Sequence, residues 1–289
     1  MSIRNPKGIL IPIGGNEDKG IEKHEIYTLE FIEEGILAHV LKAAGGKDAC
    51  VVVIPTASSI PVEVGENYIQ AFSTLGCKNV HILDIRSRED SETPEAIALI
   101  KKANCVMFSG GDQSRIIKFI ENSTIHDIMV ERFIKESNFV ISGTSAGAMA
   151  MSFEMIAGGN PKDGFTKGAT IMRKGLGLLP EVVIDTHFIR RGRFGRTAEA
   201  VAKFPNLLGI GLAEDTGLII KNANECTVIG SGMVIIFDGS TLAHNNEKIL
   251  EDGTPMTMTN LTVHVLSNGD QYNIKERQVK VLPLEAPFI

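Results

Sequence analysis

Residues 138–151 read NFVISGTSAGAMAM, which gathers a β-type apolar run, a glycine turn and a helix-forming run around one serine. Phe139, Val140 and Ile141 suit a buried strand, whereas Ala146, Ala148, Met149, Ala150 and Met151 favour helix. Residues 143–147 must therefore turn the chain between the two, and that turn is G-x-S-x-G. In a strand-turn-helix elbow the serine sits in a strained backbone conformation above the sheet. Glycines flank it because a Cβ there would collide with the neighbouring strand and helix. Ser145 is the candidate nucleophile. The Ala146 N–H, at a helix N-terminus beside it, is a candidate oxyanion donor. A bare G-x-S-x-G is also met as a plain turn, so the weight here comes from its place between an apolar strand and an Ala-rich helix.

The same alternation of strand and helix extends in both directions. Residues 8–13 form an apolar run closed by Gly14-Gly15 and the polar Asn16, Glu17, Asp18 and Lys19. Residues 22–44 carry Ile26, Leu29, Ile32, Ile36, Leu37, Val40 and Leu41 at helical spacing, with Gly45-Gly46 as a C-cap, and predict one long amphipathic helix. Residues 50–54 form a strand ending at Pro55, followed by a helix with Val64, Tyr68, Phe72 and Leu75. Residues 80–85 are more polar and suit an edge strand, after which Thr93-Pro94 opens a helix as N-cap and first turn. Residues 105–108 run into Ser109-Gly110-Gly111-Asp112-Gln113, and further helical segments lead to the elbow. Residues 158–177 are Gly-rich and predict a loop or hairpin near the site.

Two more apolar strands follow, at 182–184 and 207–212, ending in Asp185-Thr186-His187-Phe188 and Ala213-Glu214-Asp215-Thr216. From about residue 217 short β-type runs separated by turns predict an antiparallel extension on the same core, without a linker, so residues 1–289 are expected to form a single α/β domain. The ends of six apolar strands carry Asn16 and Glu17, Thr56 and Ser58, Asp112 and Gln113, Ser145, His187, and Glu214. In one parallel sheet those ends share an edge, where ligands bind, so residues distant in sequence are expected to converge there.

Composition narrows the function. A net charge of −6, from 29 Lys and Arg against 35 Asp and Glu, gives no long-range attraction for phosphate backbones, so nucleic acid is not an expected partner. No apolar run approaches bilayer length, and the first residues, MSIRNPKGILIPIGG, lack a cleavage site after a proper apolar region. A cytoplasmic protein without membrane contact is predicted. Cys50, Cys77, Cys105 and Cys226 are widely spaced and read as reduced, buried residues. No His, Cys or carboxylate spacing indicates a metal site, and the glycine loops lack a phosphate-binding lysine pattern, so no cofactor is expected.

A serine nucleophile needs a base. Of the seven histidines, His24, His39 and His126 fall in helical patterns, His81 and His264 in β-type runs, and His244 in a polar turn. His187 alone follows an apolar strand with polar residues around it, which makes it the candidate base. Its acid is Asp185, Glu214 or Asp215. Glu214 is favoured because it arrives from another strand end and can reach the far ring nitrogen. Gly110 or Gly111 can supply the second oxyanion N–H, and Asp112 with Gln113 also fits an ordinary N-cap. Arg190, Arg191, Arg193 and Arg196 are the densest positive cluster of the chain. Positive charge at a helix N-terminus opposes the macrodipole, so either these arginines are simply solvated or a substrate carboxylate holds them. Helical spacing puts Arg193 and Arg196 on one face as the expected contacts and leaves Arg190 solvated.

Six motifs together resemble the cyanophycinases: IGGNEDK at 13–19, SGGDQ at 109–113, GTSAGA at 143–148, GLGLLP at 175–180, DTHF-x-x-RGRFGR over 185–196 and AEDT at 213–216. They cover most of the chain in the family's order. The resemblance implies a serine exopeptidase related to aspartyl dipeptidase. It also implies a flavodoxin-like, mainly parallel sheet with helices on both faces, similar to that of class I glutamine amidotransferases, and a homodimer. It implies Ser145 as nucleophile, His187 as base and Glu214 as orienting acid. Gln113, Asp185, Arg191, Arg193 and Arg196 would bind the β-linked aspartyl portion of the substrate, with Asp112 and Thr186 beside them. The substrate would be cyanophycin, a polyaspartate with arginine on each side chain, cut to β-aspartyl-arginine dipeptides. Thr186 stands where the family commonly has Gln, and Asn16 where Ala is usual, so a related β-aspartyl or aspartyl dipeptidase is the neighbouring alternative. An esterase of α/β-hydrolase type, with Asp163 or Asp185 as the acid, and a non-catalytic ligand-binding domain are the other readings.

Overall fold

The computed structural model describes residues 5–21, 24–160 and 163–283 of the chain. Residues 22 and 23, at the start of the expected long helix, and residues 161 and 162, inside the expected loop, lie outside the described residues, as do the first residues of the N-terminal stretch.

Five strands form the parallel part of a nine-stranded sheet: β1 (Ile9–Ile13), β2 (Val51–Ile54), β3 (Val80–Ile82), β4 (Cys105–Phe108) and β5 (Val140–Thr144). Their spatial order is β1-β5-β4-β2-β3, so the more polar β3 lies at the edge, as its sequence predicts. The side chains of β1 and β4 alternate between two cores. Leu10, Val106 and Phe108 face one, and Ile9, Ile11, Ile13, Cys105 and Met107 face the other. A strand buried on both faces reads as an unbroken apolar run, which is what these sequences show. Helices α1 (Ile36–Ala43) and α2 (Pro61–Thr74) cover one face through Leu37, Val40, Tyr68 and Phe72. On the other face lie α3 (Pro94–Lys102), α4 (Gln113–Ile120), α5 (Thr124–Lys135) and the short α6 (Ala146–Met149). Thr93 caps α3 by accepting the Ala96 N–H at 3.3 Å, with Pro94 in the first turn. All four cysteines are buried and unbridged.

Among the described residues of the expected helix over 22–44, helix begins only at Ile36. Ahead of it, the Glu30 and Glu34 carboxylates accept main-chain N–H groups of Glu33 and Glu30, an alternative to helical bonding. Glu30, Glu33 and Glu34 would also crowd like charge on one helical face. Ile32, counted in the periodic pattern, is 58% exposed.

Beyond the elbow, β6 (Glu154–Gly159) and β7 (Thr170–Lys174) pair as a hairpin in the Gly-rich stretch. Next, β8 (Val182–Asp185) and β9 (Leu208–Leu212) flank α7 (Phe194–Lys203). The β-rich extension then divides. β10 (Thr216–Lys221), β11 (Glu225–Gly230), β14 (Gln271–Asn273) and β15 (Gln278–Lys280) extend the large sheet antiparallel from β1. By contrast, β12 (Val234–Asp238) and β13 (Thr262–Leu266) add to β9. The six strand ends of the sequence reading therefore do not belong to one sheet: β8 and β9 pair in parallel inside a separate four-stranded sheet, ordered β13-β12-β9-β8. That sheet packs its inner face, with Val182, Ile184, Ile210 and Ile236, into the core shared with β4 and β5. The ends of β8 and β9 consequently meet the ends of β1 and β5 across a sheet-to-sheet junction. Among the described residues no helix is long and apolar enough to cross a membrane.

Candidate active site

The elbow has the geometry its glycines predict. A Cβ on Gly143 would lie 2.6 Å from the Gly147 carbonyl carbon, and one on Gly147 would lie 2.6 Å from the Phe108 carbonyl oxygen. Strand and helix can cross this closely only because neither residue has a side chain. Ser145, between them, has φ 50° and ψ −109°, a conformation that the surroundings must hold in place. Its N–H is fixed to the Ile13 carbonyl at 2.9 Å.

His187 follows β8 and also has a positive φ, 48°. Two anchors set it: its N–H donates to the Gly14 carbonyl at 2.8 Å, and the buried Phe188 packs edge-on against Phe237 at 5.7 Å. Gly15, at φ 101°, leaves the room that the imidazole fills, since a Cβ there would lie 2.5 Å from the ring. His187 Nε2 is 3.0 Å from Ser145 Oγ, and Nδ1 is 2.6 Å from Glu214 Oε1. Glu214 arrives just after β9, and its other oxygen accepts from Arg190 Nη1 at 2.9 Å and, at a longer 3.5 Å, faces the Asn16 amide.

None of the other candidate acids shows a bond to His187. Asp185 is bound by arginines, Asp215 accepts from Ser231 Oγ at 2.6 Å and from the Asp18 N–H at 3.0 Å, and Asp163 accepts from the Asn160 amide. Electrostatics separate the two neighbouring acids further. Burial by itself would raise Glu214, but its hydrogen bonds with His187 and Arg190 outweigh that and hold its pKa below the ordinary carboxylate value. Burial pushes Asp215 up to about 6, with Glu17 and Asp18 adding to the rise against the Ser231 and Asp18 hydrogen bonds. Burial also lowers His187, helped by the positive charge of Arg191 and Arg193 and opposed by Glu214. The imidazole is thus kept neutral, with Nε2 as acceptor when the proton sits on Nδ1 toward Glu214.

Ser145 and His187 open into a cavity of about 430 Å³. Glu17, Lys19 and Tyr68 line one wall, Gly110 and Gly111 another, and Arg191 also faces it. Gly110 is close to the serine, its Cβ direction pointing 3.4 Å from Ser145 Cβ. The Ala146 N–H starts α6 and so has no preceding turn to bond. Two larger surface cavities, about 630 and 570 Å³, run along strand edges at β13 with β15 and at β11 with β14 and β15, and neither is lined by Ser145 or His187.

The substrate-facing residues expected from the sequence are distributed unequally. Arg191 is exposed and faces the cavity. Gln113 donates through Nε2 to the Ile156 carbonyl at 2.9 Å, tying α4 to β6. Asp112 is the N-cap of α4, accepting the Ser114 N–H at 2.8 Å. Thr186 is buried, its hydroxyl against Met149 Sδ at 3.3 Å. Asp185 is also buried, gripped by Arg196 through Nε at 2.6 Å and Nη2 at 2.5 Å, by Arg193 Nη1 at 3.0 Å, and by the Thr197 hydroxyl at 3.2 Å. Arg196 is only 4% exposed. The direct substrate contact expected of Asp185, Thr186 and Arg196 does not fit this burial, because a buried carboxylate and guanidinium satisfy each other first. Arg193 reaches Asp185 and the Thr186 carbonyl through Nη1, while its buried Nε has no partner. Burial, with Arg196 and Arg191 nearby, lowers its pKa to about 10 despite Asp185. Arg190, expected to be solvated, is 62% exposed yet pairs with Glu214. In the sequence Glu17 reads only as part of a polar strand end and Tyr68 only as a helix core residue. Their hydrogen bond, at 2.5 Å, had no local signal.

The profile of peptidase family S51 matches residues 30–228. The cyanophycinase of Trichormus variabilis is 36% identical over 282 residues, covering 96% of this chain and 91% of that protein. The cyanophycinase of Geminocystis herdmanii is 34% identical over 269 residues, covering 93% and 94%. Among solved structures, a peptidase from an acI-B1 Actinobacterium superposes with a TM-score of 0.63 at 20% identity, over 92% of this chain and 100% of that one, a likeness of fold.

Proposed function

This chain belongs to peptidase family S51, and from that premise we propose that it is a serine exopeptidase that releases β-aspartyl-arginine dipeptides from cyanophycin. The observation that carries the chemistry is the Ser145–His187–Glu214 relay, with contacts of 3.0 and 2.6 Å. His187 Nε2 takes the Ser145 proton as Oγ bonds to the scissile carbonyl carbon. Glu214, kept ionised by His187 and Arg190, holds the Nδ1 proton and stabilises the imidazolium that forms. The carbonyl oxygen, now an alkoxide, is met by the Ala146 N–H and a main-chain N–H of Gly110 or Gly111. On collapse of the tetrahedral intermediate the C–N bond breaks, and His187 returns its proton to the leaving amine. A water molecule then attacks the acyl-serine in the same way, restoring Ser145 and freeing a carboxylic acid.

The substrate assignment rests on the two cyanophycinases matched over nearly their whole length and on the Arg191 guanidinium, which faces the cavity and, unlike Lys19, has no carboxylate partner among the described ion pairs. Arg191, exposed at the cavity, would meet a carboxylate of the β-aspartyl unit, while Arg193 is bound to Asp185 and the Thr186 carbonyl behind it. Incubation with cyanophycin, and separately with α- and β-aspartyl dipeptides, followed by mass analysis of products, tests this. β-Aspartyl-arginine released from the polymer is the expected result. An intact polymer together with cleaved dipeptides would reassign the protein to the aspartyl dipeptidases.

A further inference from the structure

The end of β1 and the loop after it touch the segments that carry Ser145, His187 and Glu214. The Ile13 carbonyl accepts the Ser145 N–H at 2.9 Å, that of Gly14 accepts His187 at 2.8 Å, and that of Gly15 accepts Asp215, next to Glu214, at 2.9 Å. Glu17, two residues on, turns its carboxylate inward and is 2% exposed. The Tyr68 hydroxyl donates to Oε1 and the Thr144 hydroxyl to Oε2, each at 2.5 Å, and the Lys19 ammonium stands 2.9 Å from Oε1. These partners come from α2, from the last residue of β5 and from the loop itself. All of them line the cavity into which Ser145 opens.

A buried carboxylate is tolerated only when its charge and lone pairs are met. Burial pushes the Glu17 pKa up, but Lys19 and the two hydroxyls outweigh it and bring the pKa below the ordinary value, so the group remains an anion. Thr144 is joined by one peptide bond to Ser145, whose positive φ must be imposed by its neighbours. The Ser145 N–H is tied to Ile13, and the Thr144 side chain is tied to Glu17.

We infer that Glu17 is a positioning residue for the nucleophile: through Thr144 it locks the elbow to α2 and to the loop that also holds His187, which keeps Ser145 Oγ in reach of His187 Nε2. The inference rests on reading Ser145 as the nucleophile. The test is the second-order rate of inactivation by a fluorophosphonate, with melting temperature, for the unmodified protein and for Glu17→Gln, Thr144→Val, Thr144→Ser and the double variant Glu17→Gln/Thr144→Val. Glu17→Gln and Thr144→Val should each slow labelling roughly ten-fold, the effect of losing a hydrogen bond to a charged group. Thr144→Ser, which keeps the hydroxyl, should label near the original rate. The double variant should be little slower than the slower single one, because both changes break the same contact. Variants that melt lower but label at the original rate would overturn the inference and leave Glu17 a stabilising residue only. Additive effects, or Thr144→Ser as slow as Thr144→Val, would also overturn it. If Glu17→Gln does not fold, the Thr144 pair alone decides. No labelling of the unmodified protein would bring down the serine reading, and this inference with it, whereas equal labelling of all variants would overturn the inference alone.

Discussion

Asp185 and Glu214 are both carboxylates held by arginines from one short stretch, yet their surroundings give them different work. Asp185 is wholly buried and takes Arg193, Arg196 and the Thr197 hydroxyl. Glu214 keeps a little solvent access, spends one oxygen on His187 and gives the other to an exposed Arg190. The difference follows from where α7 begins. Arg193 and Arg196 do share a face, as helical spacing requires, but that face looks inward at the end of β8. Arg190 and Arg191 precede the helix and remain exposed. A run of like charges in sequence is therefore divided by one helix start into a buried ionic lock and an exposed pair beside the Ser145–His187–Glu214 hydrogen bonds.

The sharpest way to break this contrast is to neutralise each carboxylate in turn. Glu214→Gln keeps the size but leaves the imidazolium without an anion and favours the wrong tautomer, so kcat should fall by about 10⁴ with little change in melting temperature. A fall of only a few-fold would place the working acid elsewhere. Asp185→Ala, in contrast, strands two buried guanidinium groups and should cost about 3–5 kcal/mol of stability, read as a lower urea midpoint at unchanged slope. Unchanged stability with a raised KM would return Asp185 to the substrate site.

The pH dependence of kcat/KM sharpens the comparison on the Glu214 side. As the proposed base, His187 would have to be neutral, and its pKa is lowered from 6.5, so activity should be full above that value and decline only as pH falls through the lowered pKa. An acid limb centred above 6.5 would contradict the desolvated, cation-flanked imidazole. The smallest effect is expected at Arg190. Its pair with Glu214 is exposed on the arginine side, so Arg190→Ala should change kcat/KM only by about the 0.2–1 kcal/mol of a surface pair. Glu214 becomes more basic without it, and the acid limb should move upward. The difference from the unmodified protein should shrink at 1 M salt, where the Debye length is about 3 Å.

Much of this site could be read in the sequence because it is built from local signals. The elbow is announced by a β-type run, two glycines and an alanine-rich helix around Ser145. His187 stands out as the histidine that follows an apolar strand. Other features have no local signature. An apolar strand with polar ends looks the same whichever sheet it joins, so the placement of β8 and β9 in a second sheet depends on pairing partners that the sequence does not display. The long helix predicted over 22–44 failed because glutamates took main-chain N–H groups locally, which an apolar periodicity does not register. The partner of a buried charge is equally nonlocal. Glu17 meets Tyr68 and Thr144, 51 and 127 positions away, and only the fold brings the three together.

The central claim is that Ser145 is the nucleophile of a peptidase whose base is His187. Treating the protein with a fluorophosphonate and locating the adduct by peptide mass mapping tests it most directly. One adduct per chain on the peptide containing Ser145, formed in step with loss of cyanophycin hydrolysis, is the predicted result. Hydrolysis that persists in fully labelled protein, or an adduct on another residue that tracks the loss, would contradict it.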